Sequence, residues 1–299
     1  MSKNILITGS AGFSGKHFIN FIKNQKNLSV TGIDKQYVPG YTKYEMNLLN
    51  ESELLSLLKK ETPNYIIHLA GLTKADNPQD FYNINVLITL NLLNNVVNAK
   101  LNECRILLVS SSAVYGTAEG GILSEDCLIK PINFYGVTKA CMEQIGLFYA
   151  RNYGLKVNIA RPFNIIGLNQ SIAFVIPSFA KQLLNIKHKN YKPVIKVGNL
   201  NSVRDFIDVE DVITAYLSIL KSEESGQIYN IASGKGYKIE DILHDMIKLL
   251  KLNVKIEIDS NKLSQNDIPE QIGNINKISK LNWQPKIKIR ESLKRILGV

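Results

Sequence analysis

The feature that most constrains this chain is a glycine-spaced loop between an apolar run and a helical pattern. Asn4-Ile-Leu-Ile-Thr8 leads into Thr8-Gly9-Ser10-Ala11-Gly12-Phe13-Ser14-Gly15, and an amphipathic stretch over 14–25 follows. Gly9, Gly12 and Gly15 suit a tight turn in which backbone approaches a pyrophosphate seated on a helix N-terminus, with Phe13 and Ser14 in the same loop. Asp34 stands 19 positions after Gly15, at the end of a second apolar run, Leu28-Ser-Val-Thr-Gly-Ile33. Strand, glycine loop, helix and a later acid together predict a dinucleotide site. The Asp34 carboxylate is expected to accept hydrogen bonds from the adenosine ribose and to repel a 2′-phosphate, which favours NAD over NADP. Neighbouring Lys35 is a cation able to tolerate that phosphate.

Further apolar runs recur at Tyr65-Ile-Ile-His-Leu69, Arg105-Ile-Leu-Leu-Val-Ser110 and Val157-Asn-Ile-Ala160, with helical candidates at 51–61, 81–99 and 135–153 between them. Continuous Val/Ile/Leu runs fit parallel strands covered on both faces. The alternation predicts an α/β fold, a Rossmann-type doubly wound parallel sheet over 1–165. Beyond it the rhythm loosens. Helical patterns near 174–187, 209–221 and 239–251 mix with short strand-like pieces such as Val194-Ile-Lys-Val197 and Lys255-Ile-Glu-Ile258. Residues 166–299 are expected to form mainly a smaller α/β lobe closing a cleft on the sheet's carboxyl edge, some pieces returning to the first domain.

A net charge of +10 raises the question of nucleic acid, but the lysines are scattered among Asn and Ile. The densest group, Lys181 to Lys196, lacks repeated stacking aromatics, so no nucleic-acid partner is expected. Three cysteines (Cys104, Cys127, Cys141) without CxxC spacing read as reduced structural thiols, and with no signal segment or membrane span they predict a cytoplasmic protein with no membrane partner. His17, His68, His188 and His244 show no paired-ligand spacing, so no metal site is expected.

Tyr135-Gly-Val-Thr-Lys139 sets a phenol and an ammonium four residues apart on one helix face. A neighbouring lysine and an oxidised nicotinamide should favour the phenolate, making Tyr135 an acid/base near neutrality. The upstream run Val109-Ser110-Ser111-Ser112-Ala113-Val114-Tyr115-Gly116 puts hydroxyls at the carboxyl end of the fourth strand, where such sheets bind ligands.

These motifs resemble the extended short-chain dehydrogenase/reductases, the nucleotide-sugar epimerase/dehydratase family, over nearly the whole chain. The resemblance rests on the glycine loop, Asn47-Leu48, His68-Leu-Ala-Gly71, the serine run, the Tyr135/Lys139 pair and Arg161-Pro-Phe-Asn164. It implies that Tyr135 passes a proton to or from a sugar C4 oxygen and that Ser111 hydrogen-bonds that oxygen. Lys139 would also hold the nicotinamide ribose. Further cofactor contacts are implied at Asn47, Leu48, Leu69, Ala70, Gly71 and Pro162. Family dehydratases carry an acid just after the catalytic hydroxyl, and family epimerase/reductases a cysteine at the place of Ala113. Ser112 and Ala113 can do neither job, which leaves hydride transfer at C4 by a ketosugar reductase, a C4 dehydrogenase or a 4-epimerase with tightly held NAD. A non-catalytic NAD-binding module is the alternative of another class.

The second half is most similar to the GDP-6-deoxy-4-ketomannose reductase branch. That likeness implies a GDP-linked sugar whose diphosphate meets Asn164, Lys181 and Arg204, with Val197, Gly198 and Asn199 lining the nucleoside, and Ser112, Phe174 and Val175 also at the substrate. Two segments depart from the branch: Ser264 stands where it has an arginine, and Leu72-Thr-Lys-Ala-Asp-Asn77 is an atypical loop facing the sugar. The base and the sugar therefore stay open. The apolar faces of 81–99 and 135–153 imply a homodimer through a four-helix contact.

Overall fold

The Ile/Leu/Val runs pair side by side in one parallel sheet. A computed structural model describes residues 2–23, 25–116, 121–189, 191–263 and 268–299. In chain order its strands are β1 (Lys3–Thr8), β2 (Leu28–Asp34), β3 (Tyr44–Glu45), β4 (Tyr65–His68), β5 (Arg105–Val109), β6 (Ile122–Leu123), β7 (Lys156–Pro162), β8 (Asn164–Ile166), β9 (Val194–Val197), β10 (Val203–Asp208), β11 (Ile228–Ile231), β12 (Gly236–Lys238), β13 (Lys255–Ile258) and β14 (Glu270–Gly273). The helices are α1 (Phe13–Ile22), α2 (Glu51–Glu61), α3 (Pro78–Phe81), α4 (Ile88–Asn98), α5 (Phe134–Tyr153), α6 (Val175–Lys189), α7 (Val209–Lys221), α8 (Ile239–Leu250), α9 (Asn276–Ser279) and α10 (Ile289–Leu297).

The main sheet has seven strands in the order β11-β7-β5-β4-β1-β2-β3, and every pair is parallel. The chain leaves β1 toward β2 and β3 on one side and returns to β4 and β5 on the other. The crevice above the β1/β4 junction is therefore the switch point where ligands of such sheets bind. One apolar layer joins α1 and α7 to the sheet through Phe18, Ile22, Val212 and Ile219. The other joins α2, α4 and α5 through Leu54, Leu92, Leu93 and Met142. Both faces are thus buried, as the runs predict.

The boundary at 165 is not a break in the fold. After β8, α6, β9 and β10, helix α7 returns to cover the main sheet and β11 joins its edge beside β7. The second region centres on β10, which pairs in parallel with β8 and β14 and antiparallel with β12. A separate parallel pair joins β9 to β13. Its core is a third apolar cluster in which Phe179, Leu183, Leu243, Met246 and Leu293 bring α6, α8 and α10 together.

The helical pattern over 81–99 is realised in three fused pieces, with a π-helical turn over Tyr82–Leu87 between α3 and α4. Such a turn inserts a residue into the helical ladder and re-aims the side chains on it. Here it turns Asn85 inward, fully buried. Among the described residues no helix is long and apolar enough to cross a membrane.

Candidate active site

The glycine loop is held by contacts that leave no room for a side chain. A Cβ on Gly15 would stand 2.4 Å from the Gly9 carbonyl oxygen, and Gly9 itself has φ +73° with the Ala70 nitrogen 2.7 Å from its own Cβ position. Gly12 caps α1 without a side-chain hydrogen bond, so the first N–H groups of the helix face the crevice for an anionic group. Asp34 ends β2 with Oδ2 accepting from the Ala11 N–H at 2.9 Å and Oδ1 from Gln36 at 3.1 Å. The carboxylate thus straps the glycine loop, each oxygen keeping a second lone pair for a ligand hydroxyl. Lys35 beside it is exposed.

His68 is a strut inside the sheet. It is wholly buried, and burial holds its pKa down to about 3, so the ring is neutral. Thr89 donates its hydroxyl to the Asn85 carbonyl at 2.9 Å, so its oxygen accepts from His68 Nε2–H at 3.1 Å. Nδ1 is then the acceptor for Thr8 Oγ1 at 2.7 Å, and Thr8 in turn accepts from the Ala70 N–H at 3.2 Å. This relay ties β1, β4 and the π-helical turn together and fixes Leu69, Ala70 and Gly71 at the mouth of the crevice. Asn85 holds both polar groups of Leu72, at 2.8 and 3.1 Å, and donates to Thr138 on α5 at 3.0 Å. The motif search missed Asn85, since an asparagine in an apolar helix carries no spacing signal.

Ser111 follows β5 and caps the short 3₁₀ turn Ser112–Val114, its Oγ accepting from the Ala113 N–H at 3.1 Å. Helix α5 begins at the Asn133 cap, which accepts from the Gly136 N–H at 2.8 Å. The start of α5 packs on the Ser111 turn so closely that a Cβ on Gly136 would lie 2.6 Å from the Ala113 carbonyl oxygen. That approach brings the start of α5, and Tyr135 with it, beside the Ser111 turn, and both residues line one cavity. Burial raises the Tyr135 pKa, the Ser111 hydroxyl acting against it. The expected lowering by Lys139 is not what governs Tyr135 here, because the Lys139 ammonium is turned to the Val109 carbonyl oxygen at 2.7 Å. Burial lowers Lys139 to about 8, with Glu143 opposing the shift.

These groups line a cavity of about 550 Å³ shared by Gly9, Gly12, Phe13, Ser14, Gly15, Leu69 and Gly71 on one side. Ser111, Ser112, Tyr135, Lys139, Pro162 and Asn164 form the other. None of its described lining residues is Asp, Glu, His or Cys. A second cavity, about 500 Å³, shares Asn164, Phe174 and Val175 with it and reaches Val197, Gly198, Asn199 and Arg204. Asn164 donates to the Asp205 carbonyl at 2.9 Å. Arg204 donates to its own strand's Val203 carbonyl at 2.9 Å. The Asp205 carboxylate is held by N–H groups of Ser233, Gly234 and Gly273, and that of Asp208 by Ser292 and Arg295.

Six expected contacts line neither cavity, namely Asp34 and Lys35 at the carboxyl end of β2 and four others. Lys181 is exposed on α6 and lines neither cavity. Asn47 closes a turn onto the Leu49 N–H at 3.0 Å, and buried Leu48 gives its carbonyl to Asn91, so neither reaches the two cavities. Ala70 acts through its backbone on Thr8. The expected departure at Ser264 lies outside the described residues. The atypical loop contributes Leu72 and Thr73 to the first cavity and Lys74 to the second, where Lys262 also stands. Neither lysine belongs to a motif: Lys74 sits in the loop that departs from the branch, and Lys262 just before the other departing stretch.

Comparison with known proteins places this geometry in a lineage. The GDP-mannose 4,6 dehydratase family model matches residues 6–296. The chain is 33% identical over 276 residues to a GDP-6-deoxy-D-talose 4-dehydrogenase of Aggregatibacter actinomycetemcomitans, covering 92% of this chain and 89% of that one. It is 33% identical over 305 residues to a GDP-6-deoxy-D-mannose reductase of Pseudomonas aeruginosa, covering 100% and 97%. The solved structure of RMD from Pseudomonas aeruginosa complexed with NADPH superposes with a TM-score of 0.89 at 31% identity, over 100% of this chain and 97% of that one. With its glycine loop, serine turn and Tyr135/Lys139 helix in one cavity, the chain belongs to the GDP-mannose 4,6 dehydratase family, within the short-chain dehydrogenase/reductase epimerases and dehydratases.

Proposed function

We propose that this chain is a nicotinamide-dependent reductase of a GDP-linked 4-keto-6-deoxysugar. The observation that carries the reading is the wall of the first cavity, which offers Ser111, Tyr135 and Lys139 but no carboxylate, imidazole or thiol among its described residues. Eliminating water from a sugar, or removing a proton from its carbon, needs a second acid or base. Moving one proton to or from an oxygen needs only Tyr135. Both relatives with GDP-6-deoxyhexose names support the substrate class.

The cavity and the loop at its edge fit the dinucleotide: the crowded glycine backbone and the uncapped start of α1 suit a pyrophosphate, and the Asp34 carboxylate bonded to that loop suits a ribose. Gly9, Gly12, Phe13, Ser14, Gly15 and Asp34 would hold the adenosine and phosphates, and Lys139, Gly71 and Pro162 the nicotinamide half. When bound, the reduced nicotinamide supplies the hydride that reaches C4. Ser111 hydrogen-bonds the C4 oxygen and aligns it with Tyr135, whose raised pKa keeps the proton on the phenol until the oxygen takes it. The Lys139 ammonium, held at the Val109 carbonyl, lines the same cavity, and its positive charge lowers the cost of the phenolate that remains. Asn164 and Arg204 would meet the diphosphate. Lys74 and Lys262 add fixed positive charge to the same cavity.

NAD is the proposed cofactor, because Asp34 stands where a 2′-phosphate would need a cation. The NADPH complex of the Pseudomonas aeruginosa structure makes this the point to measure. A homodimer is proposed through α5 and the π-turn region, where Phe134, Val137, Phe148, Tyr153 and Tyr82 are exposed; light scattering at the monomer mass would refute it.

The direct test is consumption of NADH and NADPH with GDP-, UDP- and dTDP-linked 4-keto-6-deoxyhexoses. The GDP-linked ketosugar should be reduced fastest. Tyr135→Phe should lower turnover by roughly 10² to 10⁴ with the unfolding temperature kept, and full activity in that variant would sink the mechanism. The same groups run the oxidation in reverse. Purified protein that retains a tightly bound nicotinamide would favour a C4 dehydrogenase or 4-epimerase.

A further inference from the structure

Among the described residues, two buried side-chain polar atoms have no hydrogen-bond partner: the Tyr216 hydroxyl and Gln170 Oε1. Both residues line the first cavity. Buried polar groups are nearly always paired, and exceptions mark an ion, a water or a ligand. Two exceptions in one cavity point to something that cavity is built to hold.

Tyr216 lies on α7 at 1% exposure, with its ring in the apolar layer that includes Val109, Val212 and Ile213. A phenylalanine would fill that space as well, so packing accounts for the ring and not for the hydroxyl. Tyr216 lines the same cavity as Ser111, Tyr135 and Lys139, whereas Asp34 is not part of that lining. Gln170 donates its Nε2 to the Ile165 carbonyl at 2.8 Å. That bond fixes which end of the amide is free, and the free end can only accept.

We infer that the Tyr216 hydroxyl is a contact for the nicotinamide half of the dinucleotide, and that Gln170 Oε1 is a second ligand contact in the same cavity. The inference rests on the reading of that cavity as the dinucleotide site. A pyrophosphate offers acceptors alone, so it could satisfy Tyr216 and never Gln170. A ribose or a carboxamide carries donors and acceptors together, and matches a hydroxyl that donates and a carbonyl that accepts. The hydroxyl is buried with no side-chain or backbone partner among the described residues. Its removal should therefore be neutral or favourable for the fold and unfavourable for the complex, a sign pattern that a packing residue does not produce.

The test titrates full-length wild type, Tyr216→Phe and Gln170→Leu with NADH, NADPH and ADP by calorimetry, alongside ligand-free thermal unfolding. Y216F should unfold at the same temperature or higher and bind the preferred reduced cofactor roughly tenfold more weakly, the loss of one hydrogen bond to a desolvated partner. Its affinity for ADP, which lacks both the nicotinamide and its ribose, should be unchanged. Q170L should weaken cofactor binding several-fold with its fold intact. Unchanged cofactor affinity in Y216F overturns the assignment, as does an equal loss for ADP. A Y216F chain that fails to fold assigns the hydroxyl to the fold, and Q170L then tests the second contact alone. Wild type that binds neither dinucleotide overturns the reading of the cavity itself, a result distinct from the others.

Discussion

Glu143 lies one helical turn beyond Lys139 and grips Arg161 through two hydrogen bonds, Arg161 Nε to Oε1 at 2.9 Å and Nη2 to Oε2 at 2.7 Å, with both side chains almost wholly buried. The Ser110 hydroxyl adds a third contact to Oε1 at 2.5 Å. The guanidinium donates to Tyr115 Oη at 2.9 Å, and Tyr115 donates to Asn230 Oδ1 at 2.6 Å. Tyr135, Lys139 and Glu143 therefore share one face of α5, and the last anchors that face to β7 and β11.

Truncating either partner leaves a buried charge uncompensated. Glu143→Ala should destabilise by about 3–5 kcal/mol, read from urea unfolding. A Glu143→Leu/Arg161→Met double variant should lose less than the two single changes added together, because the apolar pair leaves no charge stranded. Strict additivity would show that the pair is not coupled.

Lys139 gives a pH dependence with a definite sign. Burial lowers it from 10.5 to about 8. Below pH 8 the folded and unfolded chains both carry the proton, and the fold bears the whole cost of the buried charge. Between pH 8 and 10.5 the unfolded chain binds a proton that the folded chain lacks, so stability rises with pH and levels off above that window. The gain is on the order of 3 kcal/mol. Unfolding by urea at neutral pH and at pH 10.5, for wild type and for Lys139→Met, isolates it as a change in their difference. A difference that stays flat would mean that Lys139 titrates normally.

Much of this was legible in the sequence because it is periodic or spaced. The Ile/Leu runs, the glycine loop, Asp34, Ser111 and the Tyr135/Lys139 pair follow from local rules, and the first cavity collects most of them. What escaped reading depends on contacts between distant segments. β11 is a short Ile-Tyr-Asn-Ile run whose buried Asn230 interrupts the apolar signal, and that asparagine is there to meet Tyr115 and the Leu123 carbonyl. α10 has only nine residues, and its burial comes from packing against α6 and α8. Tyr216 reads as one more core aromatic until the cavity behind it is seen. Lys181 could not be placed from sequence, because a lysine on an amphipathic helix looks the same whether its outer face meets a ligand or water.

Gly136 sets the distance between the two catalytic segments. A methyl group there meets the Ala113 carbonyl oxygen at 2.6 Å and the Pro131 Cβ at 2.9 Å, backbone and ring atoms that cannot swing aside. Gly136→Ala should cost roughly 1–3 kcal/mol by overpacking. The start of α5 must also move off the Ser111 turn, parting Tyr135 from Ser111, so kcat should fall with the cofactor affinity largely kept. An active, fully stable alanine variant would show that the turn can yield without disturbing the pair.

Asp34 decides between two cofactors on one electrostatic argument. Its carboxylate takes the Ala11 N–H at 2.9 Å and the Gln36 N–H at 3.1 Å, and both bonds need only an acceptor oxygen. Asp34→Ser removes the charge and shortens the side chain, so the repulsion on a 2′-phosphate disappears while exposed Lys35 remains beside it. The NADPH-to-NADH ratio of kcat/KM should then rise about tenfold or more, since a relief of 1.4 kcal/mol already gives that factor. Lys35→Ala should move the ratio the other way. If wild type already prefers NADPH, and Asp34→Ser lowers both cofactors equally, the carboxylate is a strap for the glycine loop and the choice of cofactor lies with Lys35.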